Sequence, residues 1–220
     1  MTAPDQDTRR RLVEVGARLF AERGFKKVTV RQICKAADAN IAAVNYHFRN
    51  KLGLYTEVAR VAIDVMRVKV EAAMRANDGG TVRDALQLYI RALLEQLAGQ
   101  GHESWIHKLM THEMTDPTPA LDLIVEEGIR PRLRDLSKLV SELMQCPVDD
   151  ERVGRCVASI RGQCLVYLPN PVSRLILGQQ GFTGDQLDQI AAHITEFSVA
   201  GICAVGRLGP AHRPPPAARR

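Results

Sequence analysis

The sequence predicts an all-α chain, with a small three-helix domain at its N-terminus and a larger helical domain behind it. Three observations point there. Apolar residues recur at helical spacing along almost the whole chain. Aromatic residues make up only 5% of the 220 residues, and runs of β-branched residues are short. Charge divides the chain: residues 1–60 hold 12 Lys and Arg against 6 Asp and Glu, whereas residues 61–206 hold 14 against 19. A basic head on an acidic body is the pattern expected where the head meets a polyanion.

The elements follow in order. Residues 7–23 form a first helix, with Leu12, Val15, Leu19 and Phe20 on one face, Asp5 or Asp7 as its cap and Gly24 as its stop. Thr29 caps a short helix to about Ala37, Asp38 makes the turn, and a second short helix runs from Asn40 to Phe48. A long helix, 51–75, carries an apolar seam of Leu54, Val58, Val61, Val65 and Val68. Asp78-Gly79-Gly80 breaks the chain, and Thr81 or Asp84 starts a helix ending near Gly99. Further helices cover about 103–114, 119–145 with a kink at Pro131, 151–167 behind Asp149 or Asp150, and 185–206. Residues 172–183 read equally as a short helix or a packed loop, and the proline-rich tail 209–220 reads as disordered. The domains expected are therefore 1–55, a helix-turn-helix, and 56–208, a helical unit for ligand binding and dimerisation.

Several classes are disfavoured. Apolar content of 45% suits a folded globular chain. No apolar run reaches the roughly 20 residues of a membrane span, and the N-terminus has no apolar leader, so a cytoplasmic protein without membrane contact is expected. The five cysteines are scattered without a CxxC pair, which suggests neither zinc nor disulfides. Cys34, Cys156 and Cys164 read as small core residues. His102, His107 and His112 recur every five residues, so a helix turns them about 140° apart and spoils metal geometry. No nucleophile elbow, phosphate loop or HExxH occurs, and no cofactor is expected.

Residues 29–48 carry the chemistry. Val44 and Phe48 stand one turn apart and anchor the second short helix. Asn40, Ile41, Ala43 and Asn45 are left outward. That face is small and amide-bearing, as a helix reading base edges in a major groove requires. Tyr46, His47 and Lys51 are donors suited to phosphate oxygens. Thr29 and Arg31 stand at the N-terminus of the preceding helix, where free N–H groups favour phosphate.

The stretch TVRQICKAADANIAAVNYHFRNKLGLY, with LFAERGF before it, resembles the DNA-binding signature of the TetR family of bacterial transcriptional regulators over about residues 9–55. The resemblance implies a homodimer on double-stranded operator DNA, released by a small-molecule inducer. It implies that Arg31 touches a base, that Asn40, Ile41, Ala42, Ala43 and Asn45 occupy recognition positions, and that Thr29, Tyr46, His47 and Lys51 touch phosphates. Asn45 stands where many members carry tyrosine, and Asp38 where glycine is usual; aspartate tolerates the left-handed turn. HEMTDPTPALDLIVEEGIRPRL and SIRGQCLVYLPNP are similar to the regulatory domain of the CecR-like branch.

Two further sets are expected. Trp105, His107, Met110, His112 and Arg161 are candidates for the inducer pocket; plain core packing is the alternative for each. Val153, Val157, Ile160, Cys164, Ile190, Ile194, Phe197 and Gly201 are candidates for the dimer interface, against an intrachain core. The rival functions are a helical protein-binding adaptor and a small-molecule enzyme.

Overall fold

A computed structural model describes residues 3–77, 79–98, 104–168, 175 and 182–208. The described residues are helical and contain no strand. The helices are α1 (Ala3–Arg23), α2 (Val30–Ala36), α3 (Ile41–Phe48), α4 (Lys51–Arg75), α5 (Val82–Ala98) and α6 (Ser104–Thr115). They are followed by α7 (Leu121–Leu123), a π-helical segment (Ile124–Ile129), α8 (Arg130–Met144), α9 (Glu151–Leu165) and α10 (Gly184–Arg207). The ambiguous segment 172–183 and the tail 209–220 fall almost wholly outside the described residues.

Local chemistry sets the boundaries. Thr29 and Gln32 form a reciprocal capping box at α2, as do Thr183 and Gln186 at α10. Thr81 and Asp84 exchange the same pair of bonds before α5. Asp150, not Asp149, caps α9 through the Arg152 amide at 2.9 Å. Asp5 and Asp7, expected as caps, lie inside α1, which begins at Ala3; Asp7 pairs with Arg10 one turn on at 2.9 Å. Asp38 adopts φ 48°, so aspartate does replace glycine in the left-handed turn between α2 and α3.

The expected kink at Pro131 takes the form of the π segment before it. Proline cannot donate to the carbonyl four residues back. The register slips by one residue, and the Arg130 amide bonds to Val125 O.

The chain forms two compact units. One comprises residues 1–72 and 95–131; the other comprises 73–94 and 132–220. In the first, α1 packs on α2, α3 and α6 around Leu12, Phe20, Ile33, Val44, Leu54, Tyr55 and Leu109, all buried. The α4 seam differs from expectation. Leu54 and Val58 are fully buried, but Val61 and Val68 are 36% and 55% exposed. The buried line continues instead through Ala62, Met66 and Val70. A 3.5-residue pattern stays on one side only of a supercoiled helix; at 3.6 residues per turn it drifts by about 20° per heptad.

In the second unit α9 packs on α10. By length and composition α10 is apolar enough to cross a membrane, a test that core helices of globular proteins also pass, and Asp185, Asp188, Glu196 and Arg207 interrupt its apolar sequence. Its apolar character has two sides, since Leu187, Ala191, Ile194 and Ile202 face their own unit while Phe197, Ala200, Gly201 and Ala204 face outward.

Candidate nucleic-acid interface

The geometry of α3 follows from what anchors it. Val44 is fully buried and Phe48 nearly so, fixing one side in the core of α1 and α4. Asn40 caps the helix by accepting from the Ala42 amide at 3.0 Å through Oδ1, which leaves its NH2 group outward. Arg49 closes the far end at φ 68°. The side chain of Asn50 then accepts from Gly53 N at 2.9 Å and starts α4. Gly53 is required there: a Cβ would lie 1.9 Å from Phe48 O.

The outward face of α3 is Asn40, Ile41, Ala42, Asn45 and Tyr46, all exposed. Ile41 is 42% exposed and Tyr46 is 74% exposed, high values for apolar bodies with nothing to cover them. No hydrogen bond engages the side chains of Asn45 or Tyr46 among the described residues. Ala43, expected outward, is half-buried against the core, and Ala42 takes the open position. Three successive helical residues span about 200°, so with Ile41 and Ala42 outward Ala43 turns towards the core.

The expected phosphate donors divide into two groups. Arg31 is exposed without a bond among the described residues. Thr29 is exposed, but its hydroxyl serves the capping box, accepting from Gln32 N at 3.3 Å. His47 does not offer its ring to solvent: the side chain is only 4% exposed, and Nε2 lies 3.1 Å from an Asp5 carboxylate oxygen on α1. Lys51 Nζ donates to Phe25 O and Val28 O, both at 2.9 Å, and sits 4.1 Å from the centre of the Phe25 ring. Two of its three donors therefore hold the loop between α1 and α2. Lys27, Lys35 and Arg49 are exposed cations on the same small domain that the motif reading passed over. Their signal was only charge near the motif, and nothing in spacing singles them out.

α6 belongs to the same unit as the reader and grips it from behind. The His112 ring lies against Gly24, where a Cβ would meet it at 3.2 Å; Gly24 also needs its φ of +79°. Lys26 pairs with Asp116 at 2.6 Å. Glu113, 2% exposed, accepts from Tyr55 Oη at 2.6 Å and from Thr118 Oγ1 at 2.8 Å and N at 3.1 Å. Burial first, then the bond and charge of Glu113, push the Tyr55 hydroxyl far above the usual phenol range, so it remains a donor. This buried network was not legible in sequence, since it joins residues 58 apart.

The expected pocket residues fall in different places. Trp105 and Met110 are half-buried against the core of the reader's unit. His107 is half-buried on the same helix, with its pKa lowered by burial and then by Lys108. Arg161 belongs to the other unit. The expected dimer residues need a correction. Val153, Val157, Ile160, Cys164 and Ile194 are buried within their own chain, and Ile190 is half-buried. Only Phe197 and Gly201 of that set are exposed. They share the outer side of α9 and α10 with Gly154, Ala158, Gly162, Leu165, Val166, Ala200 and Ala204. Helix pattern alone marks the buried stripe; it does not say which partner buries it.

Known proteins agree with this geometry. Residues 12–58 match the bacterial regulatory proteins of the tetR family, and residues 82–202 match the C-terminal domain of the HTH-type transcriptional dual regulator CecR. This chain belongs to the TetR family, with a CecR-type C-terminal domain. The CecR dual regulator of Shigella flexneri is 26% identical over 176 residues, which covers 76% of this chain and 78% of that protein. Among solved structures, a transcriptional regulator from Rhodococcus sp. Rha1 superposes with a TM-score of 0.67 at 18% identity, covering 88% of this chain and 96% of the other. The fatty acid degradation regulator FadR from Bacillus halodurans gives 0.64 at 16%, covering 97% and 100%. As a TetR-family member the chain is a helix-turn-helix transcription regulator and not an enzyme. The match over 12–58 spans α3 and the start of α4, so it includes the exposed amide face.

Proposed function

We propose that this TetR-family regulator binds a near-palindromic operator as a homodimer in the cytoplasm, acts mainly as a repressor, and is released by a small-molecule inducer held among its C-terminal helices. The observation that carries the reading is the outward face of α3, uncovered and hydrogen-bond-competent on a helix whose other side is locked in a core. Asn45, Asn40, Ile41 and Ala42 read base edges, Arg31 reaches a base from α2, and Tyr46 and Thr29 contact phosphate. His47 and Lys51 act from inside, holding α3 to α1 and α4 to the preceding loop.

One short helix supplies few base contacts, so two copies on a two-fold axis are needed, their α3 helices about 34–36 Å apart. The outer side of α9 and α10 supports this. A Cβ added at Gly154, Gly162 or Gly201 would meet nothing within 4 Å, and Phe197 is 66% exposed. Small residues on two adjacent helices allow a second pair to approach closely as a four-helix bundle.

An inducer that shifts α6 or α4 moves the Glu113–Tyr55 bond, and with it the start of α4 directly behind α3. The ligand acts only as far as it prefers the released conformation. The Shigella relative is named a dual regulator, so activation at some sites fits the same architecture.

Selection of bound sites from random duplex DNA tests the reading, with an inverted repeat expected. Affinity falls with salt by about 0.9 log units per log unit of salt for each phosphate neutralised. A salt-independent preference for a protein partner would favour an adaptor role. If Asn45→Ala and Tyr46→Phe both leave operator binding unchanged, the reader assignment is wrong.

A further inference from the structure

The two residues that join α3 to α4 hold a rare backbone turn. Arg49 has φ 68° and ψ −44°, and Asn50 N donates to Phe48 O at 2.8 Å across it. A hydrogen bond between residues two apart, around a positive φ and a negative ψ, is close to the classic γ-turn, a strained conformation for a residue with a side chain. Glycine takes a positive φ without that penalty. Asp38, at φ 48°, is of a type that tolerates the left-handed region; arginine is not.

The neighbours explain why the turn is there. Phe48 is buried on one side of it, and Leu54 and Tyr55 on the other. Gly53 lies so close to Phe48 O that a Cβ would stand 1.9 Å away, and its N–H is taken by Asn50 Oδ1 at 2.9 Å. Both flanks are fixed, so the apex keeps this geometry whatever residue occupies it. Nothing in the turn itself calls for arginine.

What arginine adds is an exposed charge at the end of the outward face of α3. Its N–H donates to Asn45 O at 3.0 Å, so it stands one turn beyond Asn45. Residues 39–56 hold no Asp or Glu, and their basic residues are His47, Arg49 and Lys51. His47 is sealed against Asp5, and Lys51 gives two donors to carbonyls of the loop behind it. Arg49 is the exposed cation of this segment. A guanidinium offers its donors in a fork that matches phosphate oxygens.

We infer that Arg49 contacts a DNA phosphate at the C-terminal end of α3, and that a strained apex carries arginine instead of glycine because of that contact. The inference deepens the reader assignment above and rests on it.

The test compares the full-length protein with Arg49→Gly, Arg49→Gln and Arg49→Lys. Thermal unfolding is followed without DNA, and fluorescence anisotropy is measured over a salt series on the selected inverted repeat and on a random duplex. Arg49→Gly relieves the turn, so its thermal midpoint rises above wild type. Arg49→Gln keeps the strained apex and leaves the midpoint near wild type. Both weaken binding by about tenfold or more, and by a similar factor on either duplex, as loss of a charge-assisted bond to phosphate requires. Both also lower the salt dependence by about 0.9 log units per log unit of salt for each reader on the DNA. Arg49→Lys keeps the salt dependence and loses less affinity. A lower midpoint for Arg49→Gly overturns the inference, because the apex is then not strained. A lower midpoint for Arg49→Gln with unchanged salt dependence also overturns it, since the charge then serves only the end of α3. Unchanged salt dependence in both uncharged variants, or a loss confined to the inverted repeat, removes the phosphate contact and overturns it as well. If wild type binds the inverted repeat and the variants match it, only this inference falls; if wild type binds no duplex, the reader assignment falls first.

Discussion

The outer faces of α3 and α10 are both uncovered, yet they present opposite chemistry. On α3 the open positions are Asn40, Ile41, Ala42, Asn45 and Tyr46, with exposed Arg31, Lys35 and Arg49 nearby. On α10 they include Phe197, Ala200, Gly201 and Ala204, next to Gly154, Ala158 and Gly162 of α9. Amide groups and cations gain from a partner that supplies acceptors and negative charge. Small apolar groups gain from a partner that brings the same surface and excludes water. A helix face without a partner in its own chain therefore carries, in its composition, the chemistry of what covers it.

The comparison breaks most visibly at Phe197. In the proposed homodimer, Phe197→Glu places a charge at the interface twice, and like charges brought together there cost several kcal/mol. Light scattering is expected to show monomers, with operator affinity reduced by about 100-fold or more while helical content is unchanged. A monomeric wild type, or a dimeric variant, would sink the assignment of this face.

The interior of the reader's unit comes next. Tyr55→Phe removes one donor from the buried Glu113, and Glu113→Gln removes the charge that Tyr55 and Thr118 serve. Either change is expected to cost about 2–3 kcal/mol in urea unfolding, because a buried acceptor or donor loses its partner. A loss as small as that of a surface substitution would mean that the network is not what holds α6 to α4.

Asn45→Ala sharpens the other side of the contrast. Stability should stay within about 0.5 kcal/mol, since the side chain has no partner in the chain. Specific binding should weaken by about 1–2 kcal/mol while binding to random DNA hardly changes, as read by fluorescence anisotropy at one salt concentration. Equal losses on both DNAs would move Asn45 from base reading to phosphate contact.

Smaller effects belong to the helix starts of the second unit. Thr183→Ala removes the capping box of α10 and is expected to lower stability by about 1 kcal/mol. Asp150, held at about 2 by its bonds to Arg152, contributes stability that is full above the unfolded carboxylate value near about 3.9 and fades as pH falls towards 2. The difference in thermal midpoint between wild type and Asp150→Asn should therefore narrow between pH 5 and pH 2. A constant difference would show that the cap works without its charge.

Much of the fold could be read before any coordinates. Thr29, Asn40 and Asp38 mark the ends and turn of α2 and α3 because capping and left-handed turns depend on a few adjacent residues. Long-range placement was harder to see. His47 looked like a phosphate donor because histidine carries N–H groups, yet its ring is sealed against Asp5 on α1, 42 positions earlier in the chain. Lys51 carries the right charge and spends most of its donors on carbonyls of the loop behind it. Val153, Val157 and Cys164 form a proper apolar stripe, but that stripe faces their own unit.

By itself, the sequence determined that the chain is helical, where most helices begin, and that residues 29–48 carry the helix-turn-helix of a TetR-family regulator. These properties arise from hydrogen bonds and periodicity within one or two turns. The tertiary structure alone decided that α6 joins the reader's unit through Glu113 and His112, and that Ala42 and not Ala43 faces outward. Such pairings join residues far apart in the chain, where their energy depends on which side chains come within a few ångströms and how much water is left between them.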